Sequence, residues 1–326
     1  MKLGILGDLH LTSRGPSRRK DNYFETQKEK LKQAFSIFKE NNCSIIFQPG
    51  DFFDSHTTAN SVKAWIIQFL RNQKLDYPIF CVSGQHDISG HSLHTLKNSP
   101  LAVLQSAGVI NILNQSPIFS DVLNDKKEPW PYPSGKHIKV YGASYGEDIP
   151  KPETGEGLYN ILVIHKMIGD RELFPGQELY KPNQFLRNNP SYDLVICGDY
   201  HYRFSSQYQG RTIINSGCLV RKTISKWDLE HKPSVSIFDT ETNEVKFVEL
   251  DCSPVEEVFD LGRDQKIGKI SSQKLIDALK NKIGSRKDSG KTAIDILSEV
   301  IKERKCSDDV RKEIDDVLDE IRIEEK

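Results

Sequence analysis

Short apolar runs alternate with helical stripes through the first third of the chain. Leu3 to Leu6 reads as a strand, and residues 26–41 follow with Leu31, Ala34, Phe35 and Phe38 on one helical face. A second strand is expected from Ser44 to Gln48. The next helix carries Val62, Trp65, Ile66, Phe69 and Leu70, and a third strand spans Tyr77 to Ser83. Strand alternating with helix predicts parallel strands in an α/β layer.

Beyond residue 130 the pattern becomes strand-dominated. Runs at 138–143, 161–164, 194–197 and 210–214 precede an expected hairpin, 235–238 with 245–250, turning over 240–243. Residues 124–136 and 146–157, rich in proline, glycine and charge, read as loops. After Leu250 the chain is polar and helical. Leu275, Ile276, Leu279 and Ile283 stripe residues 272–283, which Gly284 stops. Two further amphipathic helices are expected at 292–304 and 308–321. The expected division is therefore residues 1–252 and a helical C-terminal region, 253–326.

Composition narrows the classes. A formal net charge of -1 gives no global field for nucleic acid or membrane, so local patches must carry any such partner. Six cysteines (Cys43, Cys81, Cys197, Cys218, Cys252 and Cys306) show no metal-ribbon spacing and read as thiols of a reducing compartment. No apolar run approaches the ~18 residues of a membrane span, and no signal-peptide pattern opens the chain. The expected location is the cytoplasm.

Polar clusters punctuate the strand ends. Asp8 and His10 follow the first strand, Asp51 and Asp54 the second, and Gln85, His86 and Asp87 the third. His165 ends the run 161–164, and Asp199 and His201 follow 194–197. Carboxyl ends of strands in open α/β sheets are where ligands collect. Each cluster alone is an ordinary cap or surface pair. Four of the nine histidines at strand ends, three of them beside Gly and Asp, make chance a poor account. Imidazoles and carboxylates in this mixture suit two divalent ions about 3.5–4 Å apart, which clamp a phosphate and activate water.

The ordered set D-x-H, GD-x-x-D, G-x-HD, H and G-x-x-H resembles the calcineurin-like metallophosphoesterases over roughly residues 1–250. The resemblance implies a four-layer β-sandwich flanked by helices, with a small helical C-terminal region. It implies that Asp8, His10, Asp51 and His201 hold one metal, with Asp51 bridging. Gln85, His165 and Asp199 would complete the second site. His86 would act on the phosphate, with Asp87 orienting it. Two positions depart from the family pattern: Gln85 replaces asparagine and Asp199 replaces histidine. Manganese is the expected ion, with magnesium, iron(II) and zinc as alternatives.

Within that superfamily the chain looks like the Mre11/SbcD branch of DNA nuclease subunits, particularly phage-encoded members. The likeness lies in residues 11–27 and in 215–221, where Cys218 replaces the more usual serine. The loop after His10 is basic and aromatic, and Arg14, Arg18, Arg19, Lys20 and Tyr23 are its candidate DNA contacts. The resemblance also implies a Rad50/SbcC-like ATPase docking on the helices 292–321, and leaves a homodimer open. The protein would then be a metal-dependent DNA exo/endonuclease subunit in end processing or recombination, in a bacterial or phage-infected cytoplasm. The alternatives are a small-molecule or nucleotide phosphodiesterase, and a non-catalytic DNA-binding scaffold with a degenerate second metal site.

Overall fold

Twelve short strands run through the computed structural model, which describes residues 1–73, 78–113, 130–131, 137–173 and 177–261. The helices expected at 272–283, 292–304 and 308–321 lie outside the described residues, as does most of the loop 124–136.

The first sheet contains β1 (Lys2–Ile5), β2 (Cys43–Gln48), β3 (Ile79–Cys81), β4 (Asn111–Ile112), β11 (Ser234–Asp239) and β12 (Glu244–Glu249), in the order β12-β11-β1-β2-β3-β4. Strands β1 to β4 are parallel, and β11 closes antiparallel on β1. The second sheet contains β5 (Trp130–Pro131), β6 (His137–Ala143), β7 (Leu158–His165), β8 (Leu194–Gly198), β9 (Phe204–Tyr208) and β10 (Arg211–Asn215), in the order β5-β6-β7-β8-β10-β9.

Side-chain alternation decides the layering, because successive residues of a strand face opposite sides. In β7, Ile161 and Val163 join Leu3, Ile5, Phe47, Leu194 and Phe238 in a core shared by both sheets. Leu162 and Ile164 point the other way, onto Phe185 and Leu186 of α4 (Pro182–Asn188). On the far side of the first sheet, Ile46 meets α1 (Tyr23–Glu40), α2 (Asn60–Asn72) and α3 (Pro100–Ser106) through Phe35, Phe38, Ile66, Phe69 and Leu101. The result is helix, sheet, sheet, helix, the four-layer α/β sandwich that the motif pattern implied.

Helix α1 starts three residues before its apolar stripe suggests. The Asn22 side chain accepts from the Glu25 backbone N–H, a cap that fixes the first turn. Its buried face also carries a polar residue, Gln27, whose amide donates to the carbonyls of Leu9 and His10 while its oxygen accepts from Thr12 N–H. Several short elements escaped the sequence pattern, among them α3, β4, the seven-residue α4 and the edge strand β9, and β5 falls inside the expected loop 124–136; each is too short for a periodicity to show. No described helix is long and apolar enough to cross a membrane.

Where β1 leaves its sheet, Gly7 passes so close to Gly217 that an added Cβ would stand 1.5 Å from its carbonyl oxygen. That contact lets Asp8 N–H donate to Gly217 O at 3.1 Å and Leu219 N–H to Asp8 O at 2.8 Å, joining the two sheets at one end. Gly7→Ala must separate these strands. It should cost about 3 kcal/mol of folding stability, read from the denaturant midpoint, and a midpoint equal to wild type would show that the approach is not tight.

Candidate metal centre

Eight side chains predicted from strand ends do converge. Asp8 and His10 leave β1, Asp51 leaves β2, and Gln85 and His86 sit in the 3₁₀ turn Gln85–Asp87 after β3. From the second sheet come His165, the last residue of β7, and Asp199 and His201 after β8. Three of them, His10, Asp51 and Asp199, have positive φ (46°, 48° and 77°). This turns the chain sharply at the sheet edge and aims the side chains inward, at a conformational cost met by the packing around them.

Asp51 Oδ2 is the hub. His10 Nε2 lies 3.6 Å from it, His165 Nε2 3.5 Å and His86 Nε2 3.9 Å. On one side His10 Nε2 faces His201 Nε2 at 3.2 Å, and His201 Nε2 is 3.7 Å from Asp8 Oδ2. On the other, His165 Nε2 is 3.9 Å from Asp199 Oδ1, to which Gln85 Nε2 donates at 2.9 Å. Asp51 therefore separates the two sets that the motif order implied, where a bridging ligand would stand.

The buried charges do not balance without a cation. Asp8, Asp51 and His165 are at most 2% exposed. Asp8 Oδ1, Asp51 Oδ2, Gln85 Oε1 and His165 Nε2 are buried with no hydrogen-bond partner, a state native proteins avoid. Burial raises the Asp8 carboxyl well above its usual range, against the pull of His165, and Asp51 and Asp199 raise it further. Burial also raises Asp199, and Asp51 adds to it. Asp51 is lowered despite its own burial, because His165, His10 and His86 surround it. His165 is raised, since Asp51, Asp199 and Asp8 outweigh its desolvation. His165 Nδ1 is 2.7 Å from the Pro49 carbonyl, which can only accept. Nε2 is then the nitrogen left to face a metal.

Two imidazoles are kept neutral. Burial, with Lys222 nearby, lowers His10 to about 4, and burial and His10 lower His201 well below its ordinary value. Neutral imidazole is the ligand form. Nitrogen and carboxylate donors around one hub fit divalent manganese, iron or zinc.

Residues 1–203, which contain all eight of these side chains, match the calcineurin-like phosphoesterases. The chain belongs to that family. Its members bind divalent metals and hydrolyse phosphoesters, and the donor set here suits that chemistry. No curated protein matches the chain in sequence. Several solved structures resemble the chain at low identity. A novel archaeal phosphodiesterase aligns over 77% of this chain and 100% of its own, at 16% identity and a TM-score of 0.39. A putative 5′-nucleotidase from Staphylococcus aureus aligns over 78% and 54%, at 14% and 0.45. A dimetal phosphatase from Danio rerio aligns over 72% and 92%, at 12% and 0.43. Likeness of this extent leaves the phosphoester substrate open.

The departures from the family pattern, Gln85 and Asp199, touch each other. The extra methylene of Gln85 lets its amide nitrogen reach Asp199 while Oε1 stays unpartnered in the site. Asp87 does not take the part expected of it. Its carboxylate accepts from the backbone N–H groups of Phe52, Phe53 and Gly84, while the His86 ring turns Nδ1 toward the Asp54 carbonyl at 3.2 Å. Asp87 thus fixes the loop that carries Asp51, and the Asp54 carbonyl orients His86.

The basic loop also departs from expectation. Arg19 donates to Asp21 and to the Arg221 carbonyl, and packs between the Tyr23 and Phe259 rings. Lys20 Nζ donates to Glu256 O in α6 (Val255–Val258), Arg18 is buried against residue 260, and Tyr23 is buried. Arg18 and Arg19 close the loop onto residues 259–260 and Tyr23 packs against Cys218 and Val220, while Lys20 stays exposed. Arg14 remains exposed.

Sequence reasoning gave no role to Asp54 or Lys222. Asp54 Oδ1 lies 3.2 Å from His10 Nδ1 and 2.9 Å from Lys222 Nζ. Although burial raises Asp54, Lys222 and His10 bring it below the usual carboxylate range. A carboxylate behind an imidazole fixes the ring for a metal. Asp54→Asn should weaken manganese affinity roughly 10–100-fold by titration calorimetry, and an unchanged isotherm would remove Asp54 from the centre.

Proposed function

We propose that the chain is the nuclease subunit of an Mre11/SbcD-type complex, a metal-dependent DNA exo/endonuclease acting in the cytoplasm with a Rad50/SbcC-like ATPase. The observation that supports a polymeric substrate is a shelf of aromatics and cations beside His201. Tyr202 follows His201 directly, with its ring 6.4 Å from Trp227. Trp227 lies in α5 (Lys226–Glu230), with Arg171 over its face at 4.3 Å and Lys226 at 6.0 Å. Arg171 and Lys226 are exposed, and the two rings are half-buried. Bases stack on aromatic faces whatever their sequence, and such cations pair with phosphates. A small phosphoester needs no shelf beyond the metals.

A bound metal pair would polarise the phosphate and promote attack by water. His86 is suited to the leaving group: its side chain is 39% exposed, Nδ1 is engaged by the Asp54 carbonyl, and Nε2 faces the site. From there it can donate a proton to the departing oxygen. The segments 292–304 and 308–321, expected from their amphipathic pattern to be helices, are the proposed ATPase contact.

The test separates DNA from small substrates. End-labelled DNA and bis-p-nitrophenyl phosphate are offered to wild type and to Arg171→Ala/Trp227→Ala, with manganese, zinc or iron(II) in turn. Loss of one stacked base is worth about 1–3 kcal/mol. The variant should therefore lose roughly tenfold or more in kcat/KM on DNA and keep its rate on the small diester. Equal rates on DNA would remove the shelf from substrate binding. A wild type that cleaves only the small diester, with the ATPase present, would replace the nuclease reading by the small-molecule one.

A further inference from the structure

The thiol of Cys218 belongs to no part of the metal set expected from the family pattern, yet it lies beside that set. Its sulfur and one ring nitrogen each of His10 and His201 lie within 4.8 Å of one another. Among the described cysteines, Cys218 is the one in such a group.

The backbone holds it there. Cys218 N–H donates to the His201 carbonyl at 2.9 Å, and residue 218 forms a parallel bridge with Asp8. Residue 218 is thus tied directly to two residues of one candidate metal set. Gly217 makes the approach possible: its φ is +78°, and a Cβ there would meet His201 O at 2.8 Å. The thiol is fully buried, and the Val220 backbone N–H is directed at it. An independent feature points to a ligand at the same place. Asp8, 1% exposed, carries an oxygen with no partner, and its other oxygen faces His201.

We propose that Cys218 is a sulfur ligand of the cation held by Asp8, His10 and His201, so that this centre takes a thiophilic divalent ion of the zinc or iron(II) class in preference to magnesium. The inference rests on the metal centre described above. On binding, the S–H bond breaks as the metal–sulfur bond forms, and the proton leaves to solvent. Thiolate adds a soft donor to two imidazoles and a carboxylate, and softness moves a site away from magnesium and toward zinc. The sequence offers a sulfur where an otherwise similar hydroxyl would give only a weak hard donor.

The test reads the metal, with no need for turnover. The full chain is loaded with cobalt(II), and its absorption spectrum is compared with that of Cys218→Ser. The wild type should show visible d–d bands together with a near-ultraviolet sulfur-to-cobalt charge-transfer band, and Cys218→Ser should keep the first and lose the second. Visible bands without charge transfer in the wild type would overturn the sulfur ligand and leave the metal centre standing. No cobalt spectrum at all would overturn both. Charge transfer that persists in Cys218→Ser would assign the sulfur to another cysteine and overturn the proposal. If the serine variant does not fold, zinc-edge X-ray absorption of the wild type decides alone. A Zn–S shell at about 2.3 Å is expected, and a shell of nitrogen and oxygen only would overturn the proposal.

Discussion

Three carboxylates at the meeting edge of two sheets, two of them fully buried, set the terms for the rest of this protein. Asp8, Asp51 and Asp199 crowd around imidazoles, and burial first, with their mutual repulsion added to it, raises the carboxyls of Asp8 and Asp199. Desolvated charge of this kind is costly unless a counter-ion is present. The surrounding structure preserves the arrangement where a relaxed fold would disperse it. Gln27 on α1 and Gln48 on β2 are buried polar residues spent on the backbone of the ligand loops. Glycines at the strand ends clear the way: a Cβ on Gly84 would stand 2.0 Å from Asp51 Oδ1. The fold is an apparatus for keeping anions together until a metal arrives.

Much of this could be read in the chain beforehand because its information is local. A strand end marked by glycine, aspartate and histidine needs only the rule that such ends share one edge of a sheet. Asp8, His10, Asp51, Gln85, His86, His165, Asp199 and His201 were all placed that way. The layering was implied by the resemblance to the family, and the two faces of β7 then show which layer each meets. What escaped was long-range. Lys222 reaches Asp54 across 168 residues, and Cys218 reaches His10 through a backbone bridge to Asp8. No spacing in the sequence announces either contact.

The basic loop shows the converse error. Arg18, Arg19, Lys20 and Tyr23 have the composition of a nucleic-acid contact, but composition does not say which way a side chain turns. Arg19 has an acid two residues ahead and two rings to lie between, so its charge is satisfied inside the protein. The same segment ties residues 255–260 to the catalytic domain, next to the Arg221 carbonyl and one residue from Lys222. The surface proposed to meet a long substrate lies instead around Tyr202 and Trp227, residues that the strand pattern gave no reason to single out. Gln85 and Asp199 show a related point: two departures from a family pattern that look like damage separately are bonded to each other and keep an oxygen free for a ligand.

The central claim is that the carboxylate cluster is a two-metal site organised by Asp51. Metal stoichiometry tests it most directly: the ions bound per chain are counted by mass spectrometry after equilibrium dialysis, in wild type and in Asp51→Asn. The account predicts two ions per chain in the wild type and the loss of both, or retention of one weakly held ion, when the hub is neutralised. A wild type that binds no metal, or an Asp51→Asn variant that still holds two ions as tightly, would contradict it.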